Sequence, residues 1–420
     1  MTTINDAFRF ELDLTVEQRD LAARSAGTAR FAWNWALAER RRLFTEHEGK
    51  ARFTTAFSQI NAWVKAKPAW AYEVSAWCAV SAISDVDKAY KKFWKDRKAG
   101  RKTGLPRFKV RGKAKDAFRL RGTIKVLDER HVQLPTFEAV RIKGSTRRMS
   151  AIGWSKILCA TASRTADRWF VSILVEREHE APAPTSTQAV GIDLGLKTSL
   201  VLSTGEEIQA PRPLKAALRK LRRAQKAVAR SQRNSASRRK KVAKVARIHM
   251  RVANIRRDWQ HTTSDRLTRE FAAIGVEGLA VKGLANRKRK AGRSWADLGA
   301  GELLRQITYK SGRRGVVLVV ADRFYPSTQL CSACGHRQPM PLKERTYRCG
   351  SCGLVLDRDQ NAARNLCPVA DTPSDTPNAG GGDVSPGSAW RMPMKPEQPG
   401  SSQRWVRAGA DGPIPVLVAA

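Results

Sequence analysis

Apolar positions in the first hundred residues recur mostly at helical spacing. Phe8, Phe10 and Leu12 alternate as in a strand, and the T-x-x-Q box at Thr15 and Gln18 then opens a stretch carrying Leu21, Phe31, Trp35 and Leu37, which predicts a long helix. Ile83, Val86, Tyr90 and Phe93 predict a second helix across residues 74–94. Residues 15–103 thus read as a helical bundle, its tryptophans filling the core between helices, with base stacking as their alternative use. From residue 104 to 180 the pattern shortens to alternating runs, Phe118–Leu120, Thr123–Leu127, His131–Leu134, Val140–Ile142 and Trp169–Val175, separated by Gly, Asp and Pro. That pattern predicts a small antiparallel barrel or sandwich. Pro106–Lys113 starts it with alternating charge and bulk, as a basic edge strand whose Arg107 and Lys109 can hold phosphates, the alternative being an edge that only prevents aggregation.

The Pro/Thr/Ser-rich residues 181–187 read as a linker. Val190-Gly-Ile-Asp-Leu-Gly195, Thr198–Ser203 and the turn at Thr204-Gly205 predict a buried strand, a tight loop and a paired strand. Between Arg212 and Arg257 there is no Asp or Glu, while Leu214, Leu218, Leu221, Val245, Ile248, Val252 and Ile255 keep apolar stripes. Two amphipathic helices joined near Ser231–Ser237 are expected, with Arg219, Arg222, Arg223, Arg238, Arg239, Lys240 and Lys241 meeting phosphates. A strand reaching Glu277, a basic loop at 286–293, a helix near Glu302–Lys310 and an apolar run Val316–Val320 follow. Residues 367–420, rich in Pro, Gly and Ser, predict a disordered tail.

Charge changes the picture from fold to partner. Lys and Arg number 78 against 38 Asp and Glu in 420 residues, a formal net charge of +40 that calls for a polyanion, of which nucleic acid is the natural one. No stretch approaches the roughly 18 apolar residues of a membrane-spanning helix, and the opening MTTINDAFRFELDL lacks the pattern of a secretory signal, so no membrane partner and a cytoplasmic location are expected. Four of the seven cysteines form two C-x-x-C pairs, while Cys78, Cys159 and Cys367 stand apart, which suits a reducing compartment.

Cys331-Ser-Ala-Cys334 and Cys349-Gly-Ser-Cys352 each run into a glycine, Gly335 or Gly353, that lets backbone amides face the sulfurs. Four thiolates on two such knuckles match a closed, structural zinc ion rather than a catalytic one, with a redox C-x-x-C or a rubredoxin-like iron as the alternatives. Asp193 lies inside an otherwise apolar G-I-D-L-G run, Glu277 follows Ile274 and Val276, and Asp359 begins the helix expected after the cysteines. A buried acid is costly unless it binds a cation or is hydrogen-bonded, and paired magnesium ions need carboxylates gathered from distant segments.

Gly191-Ile-Asp-Leu-Gly195 with its hairpin, Val276-Glu-Gly-Leu-Ala-Val-Lys-Gly283, Ser327-Thr-Gln-Leu-Cys-Ser-Ala-Cys-Gly335 and Asp357-Arg-Asp-Gln-Asn-Ala-Ala-Arg-Asn365 resemble the TnpB family, transposon-encoded RuvC-type nucleases related to the type V CRISPR effectors. Leu14-Thr-Val-Glu-Gln18 and Gly104-Leu-Pro-Arg-Phe-Lys109 extend the resemblance to about residues 8–366. It implies an α+β multidomain chain: a wedge-like barrel of residues 1–14 and 104–180, a helical recognition region at 15–103, an RNase H-like (RuvC) domain at 188–330 and 353–366, and a zinc ribbon inserted at 331–352. It further implies a guide RNA copied from the transposon end, a DNA target beside a short motif, two magnesium ions on Asp193, Glu277 and Asp359, and a monomeric ribonucleoprotein at the bacterial nucleoid. Asp357 is the rival for the third ligand, and Gly278 stands where the family's second motif often has Asp. A nuclease-silent RNA-guided repressor and a strand-joining transposase are the competing functions.

Overall fold

The capping box forms as the sequence predicts: the Gln18 amide donates to Thr15 Oγ1 at 3.2 Å and the Thr15 amide donates to Gln18 Oε1 at 3.2 Å. In this computed structural model, which describes residues 2–46, 55–286, 290–341 and 343–370 and short strands at 390–391, 406–407 and 416–419, the chain divides into two compact units, Met1–His179 and Glu180–Ala420.

In the first unit, strand β1 (Thr2–Asp13) leads through the capping box into helix α1 (Val16–Glu46), followed by α2 (Ala56–Ala66), a short 3-10 turn (Ala69–Glu73) and α3 (Trp77–Lys98). The buried face of α1 is made chiefly of small residues, Ala22, Ser25, Ala26, Ala29, Ala32 and Ala36, which lets α3 pack closely with Cys78, Ala82, Ile83 and Val86. The expected tryptophan-filled core is met only in part. Trp63 is buried and Trp33 and Trp35 are partly buried against the core, whereas Trp70, Trp77 and Trp94 are exposed. Phe31, expected on the apolar stripe of α1, is 44% exposed as well.

Strands β2 (Ala117–Leu120), β3 (Lys125–Val126), β4 (His131–Leu134) and β5 (Glu138–Lys143), a helical turn α4 (Arg147–Ser150), then β6 (Lys156–Thr165) and β7 (Arg168–His179) complete the unit. They form an antiparallel sheet in the order β2-β6-β7-β1-β5-β4-β3, with β1 in the middle, paired to β7 from Thr2 to Glu11 and to β5 from Glu11 to Asp13. The edge strands β2 and β3 are not hydrogen-bonded to each other, yet Phe118 of β2 stacks on Phe137 of the β4–β5 turn at 5.8 Å. The sheet is therefore curled around a core with an unpaired seam, an open form of the barrel the alternation predicts.

Pro106–Lys113 departs from expectation: it forms no strand. Residues 104–110 instead lie along α1 as an extended strap. Trp33 Nε1 donates to the Arg107 carbonyl (3.0 Å), Arg41 to the Pro106 carbonyl (3.2 Å), and the Asn34 side chain both donates to the Lys109 carbonyl (2.9 Å) and accepts from its amide (2.7 Å). An X-Pro segment that finds its backbone partners on a helix has none left for a ladder.

The second unit opens with β8 (Ala189–Leu194), β9 (Leu200–Leu202) and β10 (Glu207–Ile208), then the helices α5 (Pro213–Ala229) and α6 (Ala236–Glu270). The expected helical pair and its corner are present; α6 is longer than the charge run because its last turns, through Leu267, also cover the sheet. Next come β11 (Ala273–Glu277), α7 (Val281–Leu284), α8 (Gly292–Leu298), α9 (Ala300–Arg314) and β12 (Val317–Ala321). Part of the expected basic loop at 286–293 lies outside the described residues. The sheet runs β10-β9-β8-β11-β12, an antiparallel meander continued by parallel strands. Leu267, Leu303 and Ile307 pack with Ile192, Ile274 and Leu318 in one core. A hairpin of β13 (Thr346–Arg348) and β14 (Val355–Asp357) leads directly into α10 (Arg358–Asn365), whose following Leu366 packs on Val319 and Ala321.

Most of the expected disordered tail lies outside the described residues, but the described pieces correct that expectation in part. They are strands: β15 (Val369–Ala370) pairs with β16 (Trp390–Arg391), and β17 (Val406–Arg407) pairs with β18 (Val416–Ala419), itself parallel to β12.

Candidate functional site

Side chains on a strand alternate between faces, so Gly191 and Asp193 of β8 share one face, as do Gly275 and Glu277 of β11. The parallel register pairs Gly191 with Gly275 and Ile192 with Val276, which puts Asp193 beside Glu277 at the carboxyl ends of two adjacent strands. The two glycines form the seat of α10. A Cβ on Gly191 would lie 2.0 Å from the Ala363 carbonyl oxygen, and one on Gly275 would lie 1.8 Å from that of Leu366. One helical turn back from Ala363, about 6 Å along the axis, is Asp359; two residues on from Gly191, about 6.6 Å along the strand, is Asp193. The matched spans bring the third carboxylate over the first two.

The electrostatics agree with that convergence. Burial pushes the Asp193 carboxyl up to about 7, with the negative charges of Asp359 and Glu277 adding to it and Arg358 opposing. Burial raises Glu277 too. Asp359 is held by Arg358 at 3.0 Å and Arg345 at 3.4 Å. The three acids are neighbours without being closed into a cage: among the described residues, only the four cysteines bring their ligand atoms within 4.8 Å of one another. Asp357, the rival of Asp359, is occupied as the N-cap of α10, accepting from the amides of Asp359 (2.9 Å) and Gln360 (3.2 Å). At Gly278 a Cβ would lie 2.6 Å from the Ala321 carbonyl oxygen, so this backbone leaves no room there for the Asp that the family motif often carries.

Cys331, Cys334, Cys349 and Cys352 come together as the spacing predicts, with Sγ···Sγ separations of 3.6 Å for Cys331–Cys352 and for Cys334–Cys349. A tetrahedron of sulfurs about 2.3 Å from zinc has edges of about 3.8 Å, so the donor set fits that ion. Gly335 and Gly353 adopt the left-handed φ of 82° and 73° that the knuckles need, and the Ser351 and Cys352 amides donate to Cys349 Sγ at 3.4 Å. Those amides draw the Cys349 thiol down to about 6.

Two residues that the sequence did not single out join the cysteines to the acids. Asn361 is fully buried; its side-chain amide donates to the Leu330 carbonyl at 2.6 Å and its oxygen accepts from the Ser332 amide at 2.9 Å. Asn365, one turn on, donates to the carbonyls of Ser327 (2.7 Å) and Leu330 (2.8 Å). Both stand on α10 and grip the first knuckle, while the Arg358 amide donates to the Arg345 carbonyl at 2.7 Å. Two asparagines at i and i+4 around a pair of alanines was the available signal.

The basic candidates divide into two kinds. Arg219, Arg222, Arg223, Arg239 and Lys240 are exposed on α5 and α6. Arg238 and Lys241 are half-buried at the corner, where Arg238 donates to the Val228 carbonyl (2.6 Å) and Lys241 to Ser231 Oγ (2.9 Å), closing the end of α5. Arg107 is exposed on the strap, but the Lys109 ammonium sits 3.9 Å over the Trp33 ring, its pKa lowered by burial.

The family model described as "Probable transposase" matches residues 172–288, and that of the "Cas12f1-like, TNB domain" matches residues 301–366. A third, described as a helix-turn-helix domain, matches residues 1–50, where this chain has a strand and a single continuous helix across Val16–Glu46. A Streptomyces pristinaespiralis protein named "Putative RNA-guided DNA endonuclease" is 34% identical over 376 residues, covering 87% of this chain and 89% of that protein. Its Escherichia coli K12 counterpart InsQ, named in the same way, is 29% identical over 381 residues, covering 86% and 91%. The protein chain in a cryo-EM structure of a Cas12f1–sgRNA–target DNA complex is 13% identical with a TM-score of 0.53, covering 87% of this chain and 98% of that one, and so shares the fold. By its sequence likeness over nearly the full length of these relatives, the chain belongs to the TnpB family of IS605-type transposon proteins.

Proposed function

We propose that the protein is a transposon-encoded, RNA-guided DNA endonuclease of RuvC type, cutting DNA with Asp193, Glu277 and Asp359 as ligands of divalent cations, two magnesium ions in the fullest form. The observation that carries this reading is the seating of α10 on Gly191 and Gly275, which sets Asp359 over Asp193 and Glu277 at the carboxyl edge of the sheet. The meander continued by parallel strands supports an RNase H-like domain. Divalent cations at such a site lower the pKa of a bound water and stabilise the leaving oxygen of the phosphodiester. The residues do the rest: Asp193 gives up the proton that burial and its neighbours favour, and Arg358 and Arg345 hold Asp359 in place. The cysteine cluster takes a structural zinc ion, its four donors leaving no position open for water.

The guide RNA comes from the transposon end, and base pairing supplies most of the specificity beside a short target-adjacent motif, as befits a chain rich in phosphate-binding charge. The exposed cations of α5 and α6 neutralise phosphates, and the assembly is a monomeric ribonucleoprotein in the bacterial cytoplasm, at the nucleoid. The test is to sequence RNA that co-purifies with the protein and to supply a plasmid carrying the matching target with magnesium. Cutting by the wild type and none by Asp193→Asn supports the reading. Binding without cutting at saturating magnesium would favour a repressor, and joined strands would favour a transposase.

A further inference from the structure

We propose that a cleft on α1 of the first unit is a pocket for one unpaired nucleotide of RNA, its base stacked on Phe31 and Trp70 and its phosphate held by Arg111. The cleft measures about 530 Å³ and is walled by α1, the 3-10 turn and the loop that continues the strap. Phe31 and Trp70 meet edge to face at 5.2 Å, yet each keeps more than two-fifths of its surface exposed, 44% and 43%. Large aromatics left open beside cations are what single-stranded nucleic acid stacks on. Arg24 is committed to Asp20 and Glu73, each at 2.8 Å, and Arg30 to Asp116 at 2.9 Å. Arg111 is exposed and has no hydrogen bond or ion pair among the described residues, so it is the cation free to take a phosphate.

Gly27 supplies the independent observation. It stands inside α1 and lines the cleft, and a Cβ there would meet nothing nearer than an Arg30 nitrogen at 4.0 Å. Its backbone is not among those with positive φ. A mid-helix glycine weakens a helix relative to alanine, and neither packing nor dihedral strain requires one here. What it does is leave the helix backbone bare where a flat ring would lie.

The occupant is RNA because a base enters such a cleft only when unpaired. Duplex target and guide–target hybrid keep their bases stacked, and a displaced DNA strand lacks the 2′-hydroxyl, whereas the loops, bulges and ends of a folded RNA offer both that hydroxyl and bases that stack on aromatic and guanidinium planes. Glu73 on the wall accepts from Arg24 through Oε2, and its second carboxylate oxygen, an acceptor only, suits a 2′-hydroxyl or a base amino group. This assignment rests on the proposed guide-RNA reading and adds the place where an unpaired nucleotide docks.

The experiment is equilibrium binding of the full-length chain to labelled 12-nucleotide oligoadenylate, its DNA equivalent and a 12-base-pair RNA duplex, at roughly 0.3 M salt to suppress contacts made by phosphate alone. Gly27→Leu, which fills the cleft, is expected to melt no lower than wild type while binding oligoadenylate about tenfold or more weakly, and Trp70→Leu to lose a similar factor, with duplex binding unchanged for both. Arg111→Gln should lower the slope of log K against log salt by about 0.7, one single-strand phosphate. Equal losses on the duplex, or none on the single strand with Gly27→Leu folded, overturn the pocket. DNA bound as tightly as RNA in the wild type overturns the assignment to RNA. A wild type that binds none of the RNAs would count against the guide-RNA reading itself, whichever way the variants behave.

Discussion

The cysteine cluster and the carboxylate site sit in one unit and are built in opposite ways. The four sulfurs come from a span of 22 residues whose two knuckles are shaped by their own glycines, and they reach metal-ligand spacing within that one short segment. The three acids come from β8, β11 and α10, and nothing local brings them together; they depend on a parallel register and on a helix lying directly on two glycines. A soft, closed site can be folded by its own segment, whereas the proposed hard-cation site, which would have to admit a phosphodiester, is assembled by the whole domain. The asparagines of α10 join the two, so the local site steadies the distributed one.

The most severe way to break the distributed site without touching an acid is Gly275→Ala. Its methyl would enter the Leu366 carbonyl at 1.8 Å, a backbone atom that cannot swing away. A loss of about 3 kcal/mol, at the upper end of overpacking costs, is expected in denaturant unfolding. The same methyl on exposed Gly350, whose Cβ would meet only the end of Gln338 at 3.6 Å, should be nearly silent.

Asn361→Ala tests the joint. It strips the Ser332 amide of its partner and removes one of two donors from the Leu330 carbonyl, at a cost of about 1–3 kcal/mol. Cleavage should fall while the cysteines still retain zinc, measured as metal content of the purified variant. Cys331→Ser should reach the same loss of cleavage from the other side, with zinc reduced and RNA binding kept.

The raised Asp193 carboxyl makes a pH-resolved prediction. The folded state holds this proton more tightly than the unfolded chain, so the stability it contributes is full below its ordinary value of 3.8 and is lost as pH rises through about 7. In magnesium-free buffer the wild type should therefore lose stability against Asp193→Asn across that window, with a slope of at most about 1.4 kcal/mol for each pH unit, the limit for one proton. Parallel stability curves for the two would show that the carboxyl is not perturbed. Smallest of all, Asp357→Ala removes only a helix cap and should cost about 1 kcal/mol.

Much of this is legible in local sequence. Thr15 and Gln18 announce α1, and the break in the apolar stripes at Ser231–Ser237 locates a corner that Ser235 caps by accepting from the Arg238 amide. Strand β6 escapes the pattern because Ile-Leu-Cys-Ala-Thr-Ala-Ser offers small residues and little alternation, its position being set by β2 and β7 on either side. The strap at 104–110 passes for a strand because charge and bulk alternate there, while its true partners are side chains of α1 some 70 residues away in sequence. Asp193 and Glu277 stand out as acids in apolar runs. Gly191 and Gly275 look like ordinary strand and turn residues, and Asn361 and Asn365 like helix polars, because their meaning lies in the backbone of α10 and the first knuckle.

In the proposed site Asp359, seated by α10, completes the ligand set with Asp193 and Glu277, while Asp357 two residues away caps the helix. The direct measurement is target cleavage by the guide-loaded protein with Asp359→Asn and with Asp357→Asn, each checked for RNA binding. Asp359→Asn should bind RNA without cutting, and Asp357→Asn should cut. Cleavage kept by Asp359→Asn and lost by Asp357→Asn would contradict the claim.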